Sequence, residues 1–209
     1  MPNTVSFRRR HLPHWMVADA SYFVTIKLKG SMPAEAQRSL ERERAEFLED
    51  PRSEVEMDAF RRARFVRVEN ILDSMASGVD HLRNPAIARI VFDAFQWFEE
   101  KKGWRVFALT IMPNHVHAVM RNDYGRNDRL NEDLGVLKGF TAREANKQLG
   151  LTGRAFWMNE NFDHWCRTDA HVVKAVRYCA RNTIKAGLAN QWQEWPWTRI
   201  HPDYVQWLA

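Results

Sequence analysis

The sequence has little that would place it in a specialised class of proteins. Only two of its 209 residues are cysteine, Cys166 and Cys179, which is too few and too widely spaced for a disulfide framework or a thiolate metal site. Repeats and low-complexity tracts are absent, and no apolar run is long enough to span a membrane. The N-terminal arginines are not followed by the apolar segment that a signal peptide needs. We therefore expect a soluble cytoplasmic protein without membrane partners.

The length suits one domain with a substantial core, and we expect a single domain over residues 1–209. Charged residues dominate from Ala34 to about Phe65, with Pro51 between two runs, so two polar helices are predicted there, each packing one narrow stripe. We expect this region, about 34–70, to be a helical insertion and 190–209 to be a C-terminal tail.

The remaining segments alternate between strand and helix signals. The letters YFVTIKL alternate as in a strand, and Asn84-Pro85 supplies a cap and a first-turn proline for a helix that ends at Gly103. In chain order, the predicted elements are a strand at 22–28, the two polar helices, a helix at 85–102, a strand bent at Pro113-Asn114, and helices at 134–149 and 169–186. The aromatic segment between the last two helices reads as irregular. This order predicts an α+β fold with a small antiparallel sheet.

Positive charge exceeds negative charge, for a formal net charge of +5, and the chain carries nine tryptophans. The basic residues cluster at Arg8 to Arg10, at Arg61 to Arg64 and along the last long helix. Basic groups beside aromatic rings suit contact with phosphates and bases. A charge of this size is also typical of a well-solvated surface, so composition leaves both interpretations open. Arg8, Arg9 and Arg10 are accordingly predicted either to contact DNA or to form a solvated tail.

Two histidines, His115 and His117, lie one residue apart in the apolar run FALTIMPNHVHAVMR. Side chains on a strand alternate between faces, so both imidazoles point to one side and Val116 points to the other. Two imidazoles at this spacing can bind one metal ion. The alternative is a pair of structural histidines, and the pair alone does not decide between them.

The last long helix adds a candidate nucleophile. Its predicted core stripe consists of Val172, Val173, Val176, Cys179, Ala180 and Ile184. Tyr178 falls on the opposite face, beside Lys174, Asn182 and Lys185. A helical tyrosine is usually an amphipathic residue at the rim of a core, but its place on a basic face favours chemistry. A phenol beside cations and a two-histidine metal site indicates phosphoryl transfer, with Tyr178 as the nucleophile.

Several blocks together resemble the single-tyrosine HUH transposases, specifically the REP-associated tyrosine transposase branch. The blocks are IMPNHVHAVM, KGFTAREANKQLG, FDHWCR, RYCARNTIKAGL and WPWT, and the resemblance runs with gaps from about His14 to Trp197. An isolated pair of histidines is common, whereas this ordered set of blocks is specific.

The resemblance implies a ferredoxin-like core whose central antiparallel sheet carries the histidines. It further implies a divalent ion, Mg or Mn, on His115 and His117, with Asn182 matching the third ligand and Tyr178 matching the nucleophile. Relatives cut single-stranded DNA beside short imperfect hairpins and form a 5′-phosphotyrosine intermediate. The resemblance places Lys138 in the corresponding helix, and we predict that Lys138, Lys174 and Lys185 contact DNA.

Two departures from the family pattern bear on the site. Asn182 is followed by Thr183 where the family usually has proline, so the helix is expected to continue, and His164 stands where an arginine is expected. His164 reads as a surface residue, a ligand or a base. The leading interpretation is a single-strand DNA endonuclease and strand transferase acting on REP-like hairpins, as a monomer or a homodimer. The alternatives are a hairpin-binding protein that does not cut and a hydrolase of small phosphoesters.

Overall fold

The structure is a computed structural model that describes residues 4–9, 13–17, 20–50, 52–74 and 78–208. Its elements in chain order are β1 (Thr4–Arg9), β2 (Pro13–Val17), β3 (Ser21–Lys27), α1 (Ala34–Phe47), α2 (Glu54–Asp73), α3 (Pro85–Lys102), β4 (Trp104–Ile111), β5 (His115–Asn122), α4 (Leu130–Leu149), β6 (Phe162–Cys166), α5 (Asp169–Lys185), β7 (Thr198–Ile200) and α6 (Pro202–Val205). Across these described ranges, no helix is both long and apolar enough to cross a membrane.

A five-stranded antiparallel sheet with the strand order β6-β3-β5-β4-β7 forms the centre of the molecule, and β1 pairs with β2 in a separate hairpin. β3 and β4 run parallel with β5 between them, and the connection between them contains α1 and α2 and ends with α3. β5 and β6 are likewise parallel with β3 between them, and α4 connects them. Two interleaved βαβ units of this kind make a ferredoxin-like core. The predicted α+β fold, with its central antiparallel sheet, is confirmed.

The two faces of the sheet carry different helices. Tyr22, Val24 and Ile26 of β3 belong to a large apolar cluster with residues of α3 and α4, whereas Phe23 belongs to a second cluster with residues of α5. Successive strand residues alternate in this way because the side-chain period of a strand is two. On β5, Val116 lies in the α3–α4 cluster and Val119 in the α5 cluster, so His115 and His117 share the α5 face. This division of faces is the one that the sequence predicts.

Several boundaries differ from the predicted ones. α4 begins at Leu130, four residues before the predicted start, and the segment read as irregular contains the strand β6. Among the described residues, β6 pairs only with β3. It has a single buried residue, Cys166, so its sequence lacks the apolar alternation of a central strand. The region predicted as a tail contributes β7, which pairs with β4.

The helices α1 and α2 occupy the region predicted as an insertion, and α2 extends to Asp73. α2 begins at a capping box, in which Ser53 and Glu56 each accept a hydrogen bond from the backbone of the other. Its C-terminal half lies beside α5, because Lys185 Nζ donates to Asp73 Oδ2 (2.7 Å) and to Asn70 Oδ1 (3.2 Å). This contact brings the last turns of α2 to the face of the sheet that carries the histidines.

Candidate metal centre and tyrosine site

The two histidines converge at the start of β5, directly after the Pro113-Asn114 turn. Both are fully buried, and the Nε2 atoms of His115 and His117 lie 2.9 Å apart. The prediction that they share one face of an apolar strand is therefore confirmed. At this separation both imidazole nitrogens are within reach of a single metal ion.

Asn114 fixes the tautomer of His115. The Asn114 Nδ2 donates to the backbone oxygen of Leu72 (2.8 Å), so its Oδ1 faces His115 Nδ1 (2.6 Å) and accepts a hydrogen bond from it. The Nδ1 atom of His115 therefore carries the proton, and Nε2 presents a lone pair toward His117. A second partner that holds one nitrogen and leaves the other free is typical of metal-binding histidines.

Thr25 and a carboxylate each contact one ring nitrogen of His117. His117 Nδ1 lies 3.0 Å from the hydroxyl of Thr25, and His117 Nε2 lies 3.0 Å from Glu69 Oε2. A carboxylate only accepts, so Nε2 carries a proton in this arrangement. The Thr25 hydroxyl can either donate or accept, which allows that proton to move to Nδ1 when Nε2 binds a cation.

Glu69 of α2 is the group that sequence reasoning missed. Its side chain is almost fully buried, at 2% residue exposure, and it joins the two histidines in a cluster whose ligand atoms lie within 4.8 Å of one another. Glu69 Oε1 has no hydrogen-bond partner among the described residues. A buried carboxylate oxygen without a partner is costly, and a bound cation would satisfy it.

Tyr178 of α5 completes the cluster. Its hydroxyl donates to Glu69 Oε2 over 2.6 Å, and its ring lies against Phe23, Phe65 and His117 at centroid distances of 5.7, 5.9 and 5.3 Å. The side chain is half-buried, because Phe65 and Glu69 of α2 cover this part of the polar face of α5. Ile184, which was predicted in the core stripe, is 42% exposed, and that prediction is wrong.

Burial and the neighbouring charges determine the protonation of the cluster. Burial on its own raises the pKa of Glu69, but His117 and His115, with hydrogen bonds from His117 and Tyr178, lower it to about 2. Burial lowers the pKa of His115 to about 3, and His117 adds to that shift. Burial and then Glu69 raise the pKa of Tyr178 well above its ordinary value. The site thus holds an ionised carboxylate, a neutral His115 and a protonated phenol.

Asn182 lies one helical turn after Tyr178 on α5. It is 1% exposed, and neither atom of its side-chain amide has a hydrogen-bond partner among the described residues. Residues four apart share a helix face, so the amide lies on the same side of α5 as Tyr178. An unpartnered buried amide fits the predicted ligand role, which stays a prediction. The helix continues to Lys185 through Thr183, as expected from the missing proline.

The predicted DNA contacts have varied surroundings. Lys174 is exposed on α5, whereas Lys185 is tied to Asp73 and Asn70. Lys138 donates all three ammonium hydrogens within the chain, to the backbone oxygens of Met158 and Asn159 and to Asn161 Oδ1. Those bonds give Lys138 the role of holding the 158–161 segment, and its contact with DNA stays a prediction.

For the three N-terminal arginines predicted to contact DNA, the structure describes at most the backbone. Arg8 and Arg9 belong to β1, of which only the backbone is described, and Arg10 lies outside the described residues. His164 is exposed on β6, at the outer edge of the five-stranded sheet, which agrees with its interpretation as a surface residue.

The residues present fit a divalent cation. Two imidazoles and a carboxylate provide three ligand atoms, and the unpartnered Oε1 of Glu69 provides a further acceptor. Imidazole nitrogens and carboxylate oxygens are both ligands for divalent metal ions, so the cluster could hold one. The choice of Mg or Mn stays a prediction.

Comparison with known proteins gives a structural likeness only. Neither a scan against protein-family models nor a search of curated proteins gives a match. Among solved structures, the chain is similar to the REP-associated tyrosine transposase bound to a REP hairpin, with a TM-score of 0.50 and 15% identity, over 98% of this chain and 88% of that chain. A likeness at this identity concerns the architecture of the sheet and its helices. The chain therefore shares the fold of a REP-associated tyrosine transposase.

Proposed function

We propose that this protein is a metal-dependent endonuclease and strand transferase for single-stranded DNA, in which Tyr178 is the nucleophile. The observation that carries the proposal is a chain of contacts from the Tyr178 hydroxyl to Glu69, from Glu69 to His117 and from His117 to His115, each within hydrogen-bond distance. A tyrosine can attack a phosphate, and a cation bound beside it can stabilise the charge that develops there, so the set suits phosphoryl transfer. The fold shared with a tyrosine transposase supports the same assignment.

Tyr178 would attack the phosphorus of a DNA phosphodiester. A bond forms from its phenolic oxygen to phosphorus and the bond from phosphorus to the 3′ oxygen breaks. The departing 3′ oxygen takes a proton from solvent water, so a 5′-phosphotyrosine and a free 3′-hydroxyl result. The phenolic hydrogen already points at Glu69 Oε2, the nearest acceptor for the proton that Tyr178 loses. Attack by a 3′-hydroxyl on the phosphotyrosine reverses these changes and joins a strand. The energy of the broken bond is kept in the ester, so no nucleotide cofactor is needed.

His115 and His117 would hold the divalent ion, Mg or Mn, with Glu69 and Asn182 as its remaining protein ligands. When bound, such an ion supplies positive charge that offsets the charge developing on the phosphate. Thr25 and Asn114 orient the two imidazoles for this task through their Nδ1 atoms. Glu69 would thus add an anionic ligand to the predicted set of His115, His117 and Asn182.

The proposed substrate is a single-stranded DNA hairpin of the REP-like type. The similar solved structure is bound to a REP hairpin, and the exposed Lys174 stands one turn before Tyr178 on α5, where a phosphate backbone can approach. Basic side chains near a nucleophile favour an extended polyanion over a small phosphoester. The protein would act as a monomer or a homodimer.

A labelled hairpin oligonucleotide with single-stranded flanks tests the proposal. With Mn²⁺ present, the wild type should give a shortened strand and a slow protein-linked band on a denaturing gel. Tyr178→Phe should give neither, while hairpin binding persists. Tyr204→Phe is the matched control, because Tyr204 also packs partly buried against the α5 cluster but lies outside the histidine site. Continued cleavage by Tyr178→Phe would disprove the assignment of the nucleophile.

A second candidate, a hairpin-binding protein without cleavage activity, has one observation in its favour. Burial and Glu69 hold the proton on Tyr178, which makes the phenol a poor nucleophile as it stands. Retardation of the hairpin on a native gel, with no covalent band at any Mn²⁺ or Mg²⁺ concentration, would establish this alternative.

A further inference from the structure

Lys27 is a cation at the edge of the histidine site that the proposed chemistry does not yet use. It is the last residue of β3, and its Cα is paired with that of His115 in the β3–β5 ladder. Residues directly opposite each other in a ladder point to the same face, so Lys27 lies on the α5 face with His115. Its side chain is half-buried and makes no hydrogen bond or ion pair to the residues that the structure describes.

The charged groups around Lys27 come from three other segments. Glu69 of α2 and Glu160 of the 158–161 segment attract it, whereas Arg64 of α2 and Lys138 of α4 repel it. Glu160 also attracts Arg64 and Lys138, so Lys27 shares this carboxylate with two other cations, and its other attracting neighbour is Glu69. Since the Lys27 side chain has no hydrogen bond or ion pair to the described residues, its ammonium can take a further anion without losing a contact.

The three cations differ in the hydrogen-bond donors that they have available for a further anion. Lys138 uses its three hydrogens on the 158–161 segment, and Arg64 donates to the backbone oxygen of Leu40. Lys27 retains the donors of its ammonium. An ammonium that is partly removed from water without a hydrogen-bond partner destabilises the fold, and a methionine would fill the same space without that cost.

We propose that Lys27 binds a phosphate of the DNA strand beside the phosphate that Tyr178 attacks. This inference rests on the proposed function and assigns to it a binding residue that the histidine and tyrosine pattern does not include. Lys27 and the metal centre would hold neighbouring phosphates of one strand, because His115 lies directly across the ladder from Lys27. The contact is to the backbone, so it is independent of base sequence.

Equilibrium binding of a fluorescent DNA hairpin, measured across a series of salt concentrations, tests this inference. Lys27→Met should weaken binding about tenfold, the effect of losing one charge-assisted hydrogen bond. The slope of log K against log salt should also fall in magnitude by about 0.7, because one fewer counterion is released on single-stranded DNA. Lys27→Arg should retain the slope. Lys101→Met is the matched control, since it removes the same charge from an exposed position on α3, on the other face of the sheet, and should match the wild type.

The same experiment distinguishes a failure of this inference from misfolding of the variant and from a failure of the proposed function. Lys27→Met should melt at or above the temperature of the wild type, and a second neutral variant, Lys27→Gln, should reproduce its loss of slope. Wild-type affinity and slope in a folded Lys27→Met protein would overturn the inference and leave the proposed function intact. Failure of the wild type to bind any hairpin would overturn the proposed function, and the inference with it.

Discussion

Acid should destabilise the metal-free protein in a pH range that His115 sets. His115 is fully buried, and burial lowers its pKa from 6.5 to about 3. Because the folded-state pKa lies below the unfolded one, the unfolded chain binds this proton more readily. The stabilising contribution of neutral His115 is therefore complete above pH 6.5 and is lost progressively as the pH falls toward 3.

The size of the effect follows from the two pKa values. At pH 5 the unfolded histidine is largely protonated and the folded one is not, so the free energy of unfolding is about 2 kcal/mol lower than at pH 7.5 from this group. The lowered pKa of Glu69 acts in the same direction, but only below about pH 4.5, so it contributes little at pH 5. Of these two groups, His115 thus makes the larger contribution between pH 7.5 and 5.

Urea unfolding followed by tryptophan fluorescence, in a chelating buffer at pH 7.5 and at pH 5, measures this loss. His115→Gln should lose about 2 kcal/mol less than the wild type over the interval. His171→Gln is the matched control, because His171 is exposed and should retain the wild-type loss. Equal losses in the wild type and His115→Gln would refute the reasoning. Added Mn²⁺ should stabilise the wild type at pH 7.5 and less so at pH 5, since protons compete for the imidazoles.

Three further substitutions test the other parts of the site. Glu69→Gln removes an anionic ligand and should weaken Mn²⁺ binding by about tenfold or more, as measured by calorimetry, and wild-type affinity would exclude Glu69 as a ligand. Asn182→Ala removes an amide without a described partner, so it should change the free energy of unfolding by less than about 1 kcal/mol while reducing Mn²⁺ affinity; a larger loss of stability would reveal a structural role. Lys138→Met should lower that free energy by about 1–3 kcal/mol through loss of its three bonds to the 158–161 segment, and an unchanged urea midpoint would contradict this.

The histidine pair could be predicted because its signal is local. A strand has a period of two, so spacing alone places His115 and His117 on one face and Val116 on the other. The structure agrees, with 2.9 Å between the two Nε2 atoms. The order of strand and helix signals was likewise sufficient for the α+β fold, whereas β6 and β7, which are short and lie at the edges, carry no comparable pattern.

The surroundings of Tyr178 could not be predicted from its helix alone. A helical wheel ranks the faces of one helix and contains no information about what packs against each face. The wheel placed Tyr178 opposite the sheet-facing stripe, yet Phe65 of α2 contacts its ring and Glu69 accepts its hydroxyl hydrogen. A second helix covers that face, and its position depends on contacts between residues more than a hundred positions apart in sequence.

Glu69 does leave a trace in the sequence, although the charge of its helix hides it. Phe65 precedes it by four residues and Leu72 follows it by three, so this acid lies on the apolar stripe of α2 and not on its solvated face. A carboxylate on an apolar stripe needs a partner when that stripe is buried, and the partners available to it are a cation, a histidine or a metal. The two polar helices read as an insertion thus contribute to the candidate site, since α2 supplies its acidic group. Any shortened chain that lacks residues 54–73 would lose the proposed metal ligand Glu69, which is also the hydrogen-bond partner of Tyr178, and not merely a peripheral helix.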